Sequence, residues 1–104
     1  MDFVFKALAD PARRRILRLL RDKDMTATEL VDHFKLSQPT LSHHFAVLKK
    51  AELVRFRREG PFIRYSFNSA ALKGVMDWLG EMLSQPKGAD IKSLSAGASS
   101  SASG

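Results

Sequence analysis

The 104 residues include no cysteine, which excludes disulfides, thiolate metal ligands and thiol redox sensing. Tryptophan and tyrosine occur once each. No stretch approaches the ~18 apolar residues of a membrane span. The opening MDFVFKALAD carries acidic residues and too short an apolar run for a secretory signal. The expectation is a protein without membrane insertion, in the cytoplasm. Acidic residues are also in deficit, 11 against 17 Lys and Arg, for a formal charge of +6. Such an excess favours an anionic partner, although by itself it also fits a merely soluble basic surface. Its placement is more telling. Between Gln38 and Tyr65 stand Lys49, Lys50, Arg55, Arg57, Arg58 and Arg64, opposed only by Glu52 and Glu59.

The pattern along the chain predicts one mainly helical domain with a small β-hairpin. Residues 2–9 read as a short apolar helix. Asp10-Pro11 then supplies an N-cap and a first-turn proline for a second helix running to about Asp22. On that helix Ala12, Ile16, Leu19 and Leu20 are expected inward, with Arg13, Arg14, Arg15, Arg18 and Arg21 on the other side. Met25-Thr26 has room for a strand or turn. Thr26 and Glu29 form a capping box for a third helix that buries Leu30, Val31 and Phe34 and stops near Lys35. Ser37 caps a fourth helix, Gln38 to about Ala51. Two alternating strands follow, 53–58 and 62–68, turning at Glu59-Gly60-Pro61, with Phe56 expected inward beside Val54. A last helix, with Ser69 as a possible cap, carries Leu72, Val75, Met76, Leu79, Met82 and Leu83 at three- and four-residue steps. The domain is expected over residues 1–86, and residues 87–104 as a disordered Ser/Ala/Gly tail.

The fourth helix carries the chemistry. At about 100° per residue, Leu41, Phe45 and Leu48 share one narrow arc. Pro39, His43, Ala46 and Lys50 fall opposite, flanked by Gln38, Ser42 and Lys49, and His44 lies nearer the apolar arc than His43. Small polar groups and histidine suit base edges in a major groove, where bulk would block approach. Ser37, Gln38 and Thr40 stand at the helix N-terminus, which favours phosphate. The arginines of the hairpin (Arg55, Arg57, Arg58 and Arg64) suit a neighbouring groove or backbone. The last helix is apolar over a wider arc than one small core needs. Phe3, Val4 and Leu8 of the first helix extend it, so the two helices are expected to form a two-fold interface.

The segments ADPARRRIL, LSQPTLSHH, LKKAELV and RREGPFIRY, in this order over about residues 3–83, resemble the ArsR/SmtB family of winged helix-turn-helix repressors. Within that family they resemble the SdpR-like autorepressor branch. The resemblance implies the order α1-α2-α3-α4-β-wing-α5, a homodimer and a double-stranded inverted-repeat DNA operator. It implies that Ser37, Gln38, Pro39, Thr40, Ser42 and His43 approach DNA, and that the hairpin around Arg57–Arg64 is the wing. It also implies autorepression relieved by a sequestering protein partner.

Many such proteins release DNA on binding metal, and here the residues depart from that pattern. The matching third-helix stretch, Thr28 to His33, has no thiolate, and the last helix offers only Asp77 and Glu81, a poor zinc set. No metal site and no cofactor are expected, with a metal- or small-ligand-responsive sensor as the alternative. Trp78 is expected to pack at a helix interface and His33 to face solvent. An enzyme is not expected: Ser42 and His43 are helix neighbours whose side chains diverge by about 100°, which precludes a dyad. An RNA-binding or protein-interaction module is the remaining rival, disfavoured because most aromatics are expected inward instead of displayed for base stacking.

Overall fold

Local capping sets where the helices begin. In the computed structural model, which describes residues 1–84, Asp10 accepts from the Ala12 and Arg13 amides at 2.7 and 3.4 Å and starts α2 (Pro11–Asp22) behind the short α1 (Asp2–Leu8). Thr26 and Glu29 form the reciprocal capping box of α3 (Ala27–Asp32). Ser37 accepts from the Thr40 amide to open α4 (Gln38–Lys50). α3 ends three residues before the expected Lys35, because the His33 and Phe34 amides turn back to the Leu30 and Val31 carbonyls. The proposed tail over residues 87–104 lies outside the described residues.

The expected hairpin is the larger part of a three-stranded antiparallel sheet. β1 (Met25–Thr26) pairs with β3 (Phe62–Phe67), which pairs with β2 (Val54–Glu59) in the order β1-β3-β2. Gly60, at φ +59°, and Pro61 make the two-residue turn between Glu59 and Phe62, a place where positive φ matches strand twist. Ser69 does not cap the last helix. Residues Ser69–Leu72 form a 3₁₀ turn ahead of α5 (Lys73–Leu83), and Asn68 instead donates its side-chain amide to the Glu52 carbonyl at 2.7 Å.

Ile16, Leu30, Leu41, Leu48 and Leu53 are fully buried, so α2, α3, α4 and the entry to the sheet share one core. Phe45 of α4 stacks on Tyr65 of β3 with ring centroids 4.8 Å apart, fixing α4 against the sheet. The buried stripe of α2 is Arg13, Ile16, Leu17 and Leu20, rotated from the expected one; Ala12 and Leu19 are only half-buried. Val31 and Phe34 are likewise half-buried, with Arg15 over the Phe34 ring. Phe56 is 57% exposed instead of inward, and its face is covered by the Lys49 ammonium, 4.8 Å from the ring centroid.

Arg13 is the main departure from the expected pattern. Only 8% exposed, it donates from Nε to the Ala7 carbonyl at 2.9 Å and from Nη2 to the Lys6 carbonyl at 3.0 Å. Its Nη1 lies 3.1 Å from Nδ1 of His44, which is itself buried on α4. Guanidinium has donors only, so His44 Nδ1 must accept and the proton of this neutral imidazole sits on Nε2. Burial holds the His44 pKa below its ordinary 6.5; Asp10 pulls it upward, while Arg13 and His43 add to the depression. As pH falls through about 6.5 the unfolded chain therefore takes this proton before the folded one, and stability declines toward acid. We expect the His44→Asn variant, whose amide oxygen can accept from Arg13 but cannot titrate, to show a shallower loss of urea stability between about pH 7 and 5. Equal slopes for the two proteins would remove His44 from the acid response.

α4 ends in a Schellman motif: the Leu53 amide reaches the Leu48 carbonyl at 3.1 Å and the Glu52 amide reaches Lys49 at 2.9 Å. Glu52 holds the left-handed position at φ +59°, where a side chain is strained and glycine is at ease. We expect Glu52→Gly to raise stability by about 0.5–1 kcal/mol in denaturant titration. A lowered midpoint would show that the Glu52 side chain contributes more than its backbone strain costs.

Candidate nucleic-acid interface

A helix-turn-helix results from α3, the turn 33–37 and α4. The caps leave one broad face of α4 with no apolar duty, and Ser37, Gln38, Pro39, Thr40, Ser42 and His43 are all exposed on it or at its start. His44 is held inward by Arg13, so of the adjacent histidines only His43 is presented. The first turn of α4 is short of free backbone donors. Pro39 has no N–H, and the Thr40 amide is occupied by Ser37 Oγ, which also lies 2.9 Å from Thr40 Oγ1. Side chains, more than a helix N-terminus, therefore define what this end can recognise.

The sheet stands beside α4, and its arginines differ sharply from one another. Arg57 and Arg64 are cross-strand partners, and both bind Glu59. Arg57 Nη2 lies 2.9 Å from Glu59 Oε2, and Arg64 Nε donates to Oε1 at 2.8 Å. The bond from Arg64, then that from Arg57, holds the Glu59 carboxyl below its ordinary pKa. Arg64 also reaches Glu29 of the α3 capping box at 3.9 Å and the Asp24 carbonyl at 3.5 Å. Its first task is thus to lash the sheet to α3. Arg58 is exposed and has no carboxylate within ion-pair distance among the described residues. Strand alternation puts it on the face shared by Val54 and Phe56, the face that meets α4 through Lys49. Arg55 is exposed at the foot of β2, where it lines a small polar cleft with Glu52 and Asn68. Lys49 is half-buried on Phe56, so its charge is positioned instead of free.

The residues named for dimerisation divide into three groups. Val4 and Val75 are 6% and 5% exposed and belong to the subunit's own core. Leu8 and Leu72 are half-buried and turn toward a cavity beside α2. Phe3, Met76, Leu79, Met82 and Leu83 are exposed, Met76 by 63% and Leu83 by 86%. Phe5, which periodicity missed, and Trp78, which packs between α5 and α1 as expected, extend this apolar surface and meet edge to face with centroids 5.7 Å apart. Periodicity also missed Arg13, whose partners come from two other elements, α1 and α4.

His33, Asp77 and Glu81 are exposed. No three His, Asp or Glu side chains gather in a metal-holding cluster among the described residues. No helix among them is long and apolar enough to cross a membrane.

Comparison with known proteins agrees with this geometry. Residues 10–55 match the family model described as bacterial regulatory protein, arsR family. The chain is 47% identical over 79 residues to the transcriptional repressor SdpR of Bacillus subtilis (strain 168), covering 76% of this chain and 88% of that one. It is 36% identical over 94 residues to the arsenical resistance operon repressor of Staphylococcus xylosus, covering 90% of each. An ArsR-like transcriptional regulator from Rhodococcus sp. RHA1 superposes with a TM-score of 0.73 at 30% identity, covering 78% of this chain and 74% of that structure. A short third helix, a Ser-capped fourth helix with a polar outer face and a basic sheet are thus parts of one known device, and the chain belongs to the ArsR family of winged helix-turn-helix DNA-binding transcriptional repressors.

Proposed function

We propose that the chain is a homodimeric repressor that binds an inverted-repeat operator, regulates its own gene, and does so without sensing metal. The observation that carries this is the pairing of two unoccupied surfaces: the polar face of α4 and the apolar face of α1 and α5. Phe3, Phe5, Met76, Trp78, Leu79, Met82 and Leu83 together exceed the scattered apolar exposure of a monomer, and a two-fold partner is the usual way such a face is covered. Two copies would then offer their α4 helices to successive major grooves about 34 Å apart.

In this reading Gln38, Ser42 and His43 read base edges. Ser37, Thr40 and Arg58 contact phosphate, joined by Arg57 where DNA competes with Glu59. Pro39 lets the backbone approach closely. Lys49 and Arg55 add field more than contact, and Arg64 holds the wing in place. Metal independence is supported by the absence of cysteine and by the carboxylate-only pair on α5. The likeness to SdpR favours autorepression, with relief by a sequestering protein partner.

Dimerisation is open to sedimentation velocity at micromolar concentration. The expected species is a dimer, and Leu79→Glu should yield a folded monomer, since Leu79 is 41% exposed in the subunit. A wild-type monomer would end the proposal of a two-fold repressor.

Base reading and phosphate binding separate in anisotropy titrations against the gene's own promoter and a scrambled duplex. His43→Ala and Gln38→Ala are expected to lose about 1–3 kcal/mol on the promoter only. Arg58→Ala should weaken both duplexes alike and lower the salt slope by about one. Zinc and arsenite at micromolar levels should leave all these curves unchanged. If Arg58→Ala altered the preference between duplexes, the wing would be reading sequence. Failure to prefer the promoter at all would remove autorepression while leaving duplex binding intact.

A further inference from the structure

The phenylalanines Phe3, Phe5, Phe56 and Phe62 are all exposed, and three of them have a partner on the ring. Lys50 lies over Phe3, Lys49 over Phe56, and Trp78 meets Phe5 edge to face. Phe62, 50% exposed, has neither a ring nor a cation against it among the described residues. It stands at the turn of the hairpin, paired across the strands with Glu59. Tyr65 is the buried residue of β3 nearest that turn, so Phe62 lies three residues, about 10 Å, further out. Gly60 and Pro61 form the turn, and the proline ring fixes the backbone immediately before Phe62. The cations behind this tip are committed elsewhere. Arg57 and Arg64 both hold Glu59, and Arg58 alternates to the opposite face of the strand.

We propose that Phe62 is a specificity-determining contact of the wing, its ring entering the minor groove next to the major groove that holds α4 and selecting A·T pairs there. This rests on the reading of α4 as the base-reading helix. A major groove about 12 Å wide admits a helix or a two-stranded ribbon, whereas a minor groove about 6 Å wide admits only a side chain from the ribbon's tip. Of the four residues at this tip, Gly60 has no side chain and Pro61 a short one. Glu59 is an anion, which the negative potential of the groove repels. Phe62 is left, and apolar side chains are a common means of entering a minor groove. A phenyl ring cannot accept from the 2-amino group that guanine places in that groove, and would leave this donor buried without a partner. A·T pairs have no such donor. The tip thus selects by exclusion, and without adding a phosphate contact.

The test uses the full chain and a duplex that it selects from a random pool, so its outcome does not depend on autorepression. The pairs flanking the selected half-sites are set to A·T, G·C or inosine·C, the last keeping the major-groove edge of G·C without its 2-amino group. Wild-type protein is expected to bind A·T and inosine·C flanks alike, and G·C flanks about fivefold more weakly. Phe62→Ala should lose about tenfold on A·T flanks, respond little to the flanking pair, and keep the wild-type salt slope. Phe62→Leu, still apolar, should recover most of the loss. Sedimentation velocity should give Phe62→Ala the same assembly state as wild type. Wild-type-like affinity of Phe62→Ala, equal responses of the two proteins to the flanking pairs, or inosine·C behaving as G·C would each overturn this contact while leaving the reading of α4 intact. A change of assembly state in Phe62→Ala would assign the ring to a protein contact and likewise overturn it. If the wild-type chain selected no duplex, the reading of α4 would fall, and this contact with it.

Discussion

The guanidinium of Arg13 is the joint on which the arrangement of this subunit depends. A buried arginine is tolerable only when its donors are used, and here they close the last turn of α1 and reach the outer helix of the DNA-reading pair. Without it the Ala7 carbonyl and His44 Nδ1 would lose their shared donor, and the Lys6 carbonyl would keep only the Ala9 amide. The same contact chooses between the two histidines of α4. By holding His44 inward it sets the rotation of the helix, and that rotation presents Gln38, Ser42 and His43 on one outer face.

Glu59 plays the corresponding part in the sheet. Arg57 and Arg64 are opposite one another on adjacent strands, an arrangement of like charges that destabilises a ladder unless compensated. Glu59 compensates both, and Arg64 passes the connection on to the α3 capping box through Glu29. These pairs lie at or near the surface, the Arg64–Glu59 bond being half-buried, so none contributes much alone. Their shared geometry is what matters: the wing's angle to the helix-turn-helix is fixed by the same arginine that charge counting would assign to phosphate. Net positive charge is therefore a poor guide to which cations are available: among the described residues Arg58, unlike Arg57 and Arg64, has no carboxylate within ion-pair distance.

What could be read in the sequence was what depends on neighbours in the chain. Asp10, Thr26-Glu29 and Ser37 act on amides two or three residues away, and all three caps form as their spacing implies. Leu41, Phe45 and Leu48 likewise follow from helical period alone. The errors fall where a residue's environment comes from far along the chain. Arg13 looks like one of five solvated arginines until His44, 31 residues later, and the end of α1 are brought to it. Phe56 alternates as a core residue would, yet the core is already filled on that face by Val54 and Tyr65, and Lys49 supplies its cover. On α5 the excess of apolar residues was legible, but not that Val75 alone turns inward while Met76 and Leu79 remain outside.

These features combine into a mechanical consequence. α4 is not held by the core alone, because Arg13 connects it to the carbonyls that terminate α1, one of the two helices bearing the exposed apolar face. A shift of α1 by a fraction of a hydrogen-bond length changes what Arg13 can reach, and His44 is its only partner on α4. The wing is fastened to α3 through Arg64 and Glu29 and to α4 through the Phe45–Tyr65 stack and the Lys49–Phe56 contact. α4 and the basic sheet are thus coupled to each other as well as to α1 and α3. A displacement of α1 would therefore reach α4 through Arg13 and the sheet through Phe45 and Tyr65, moving the two surfaces together.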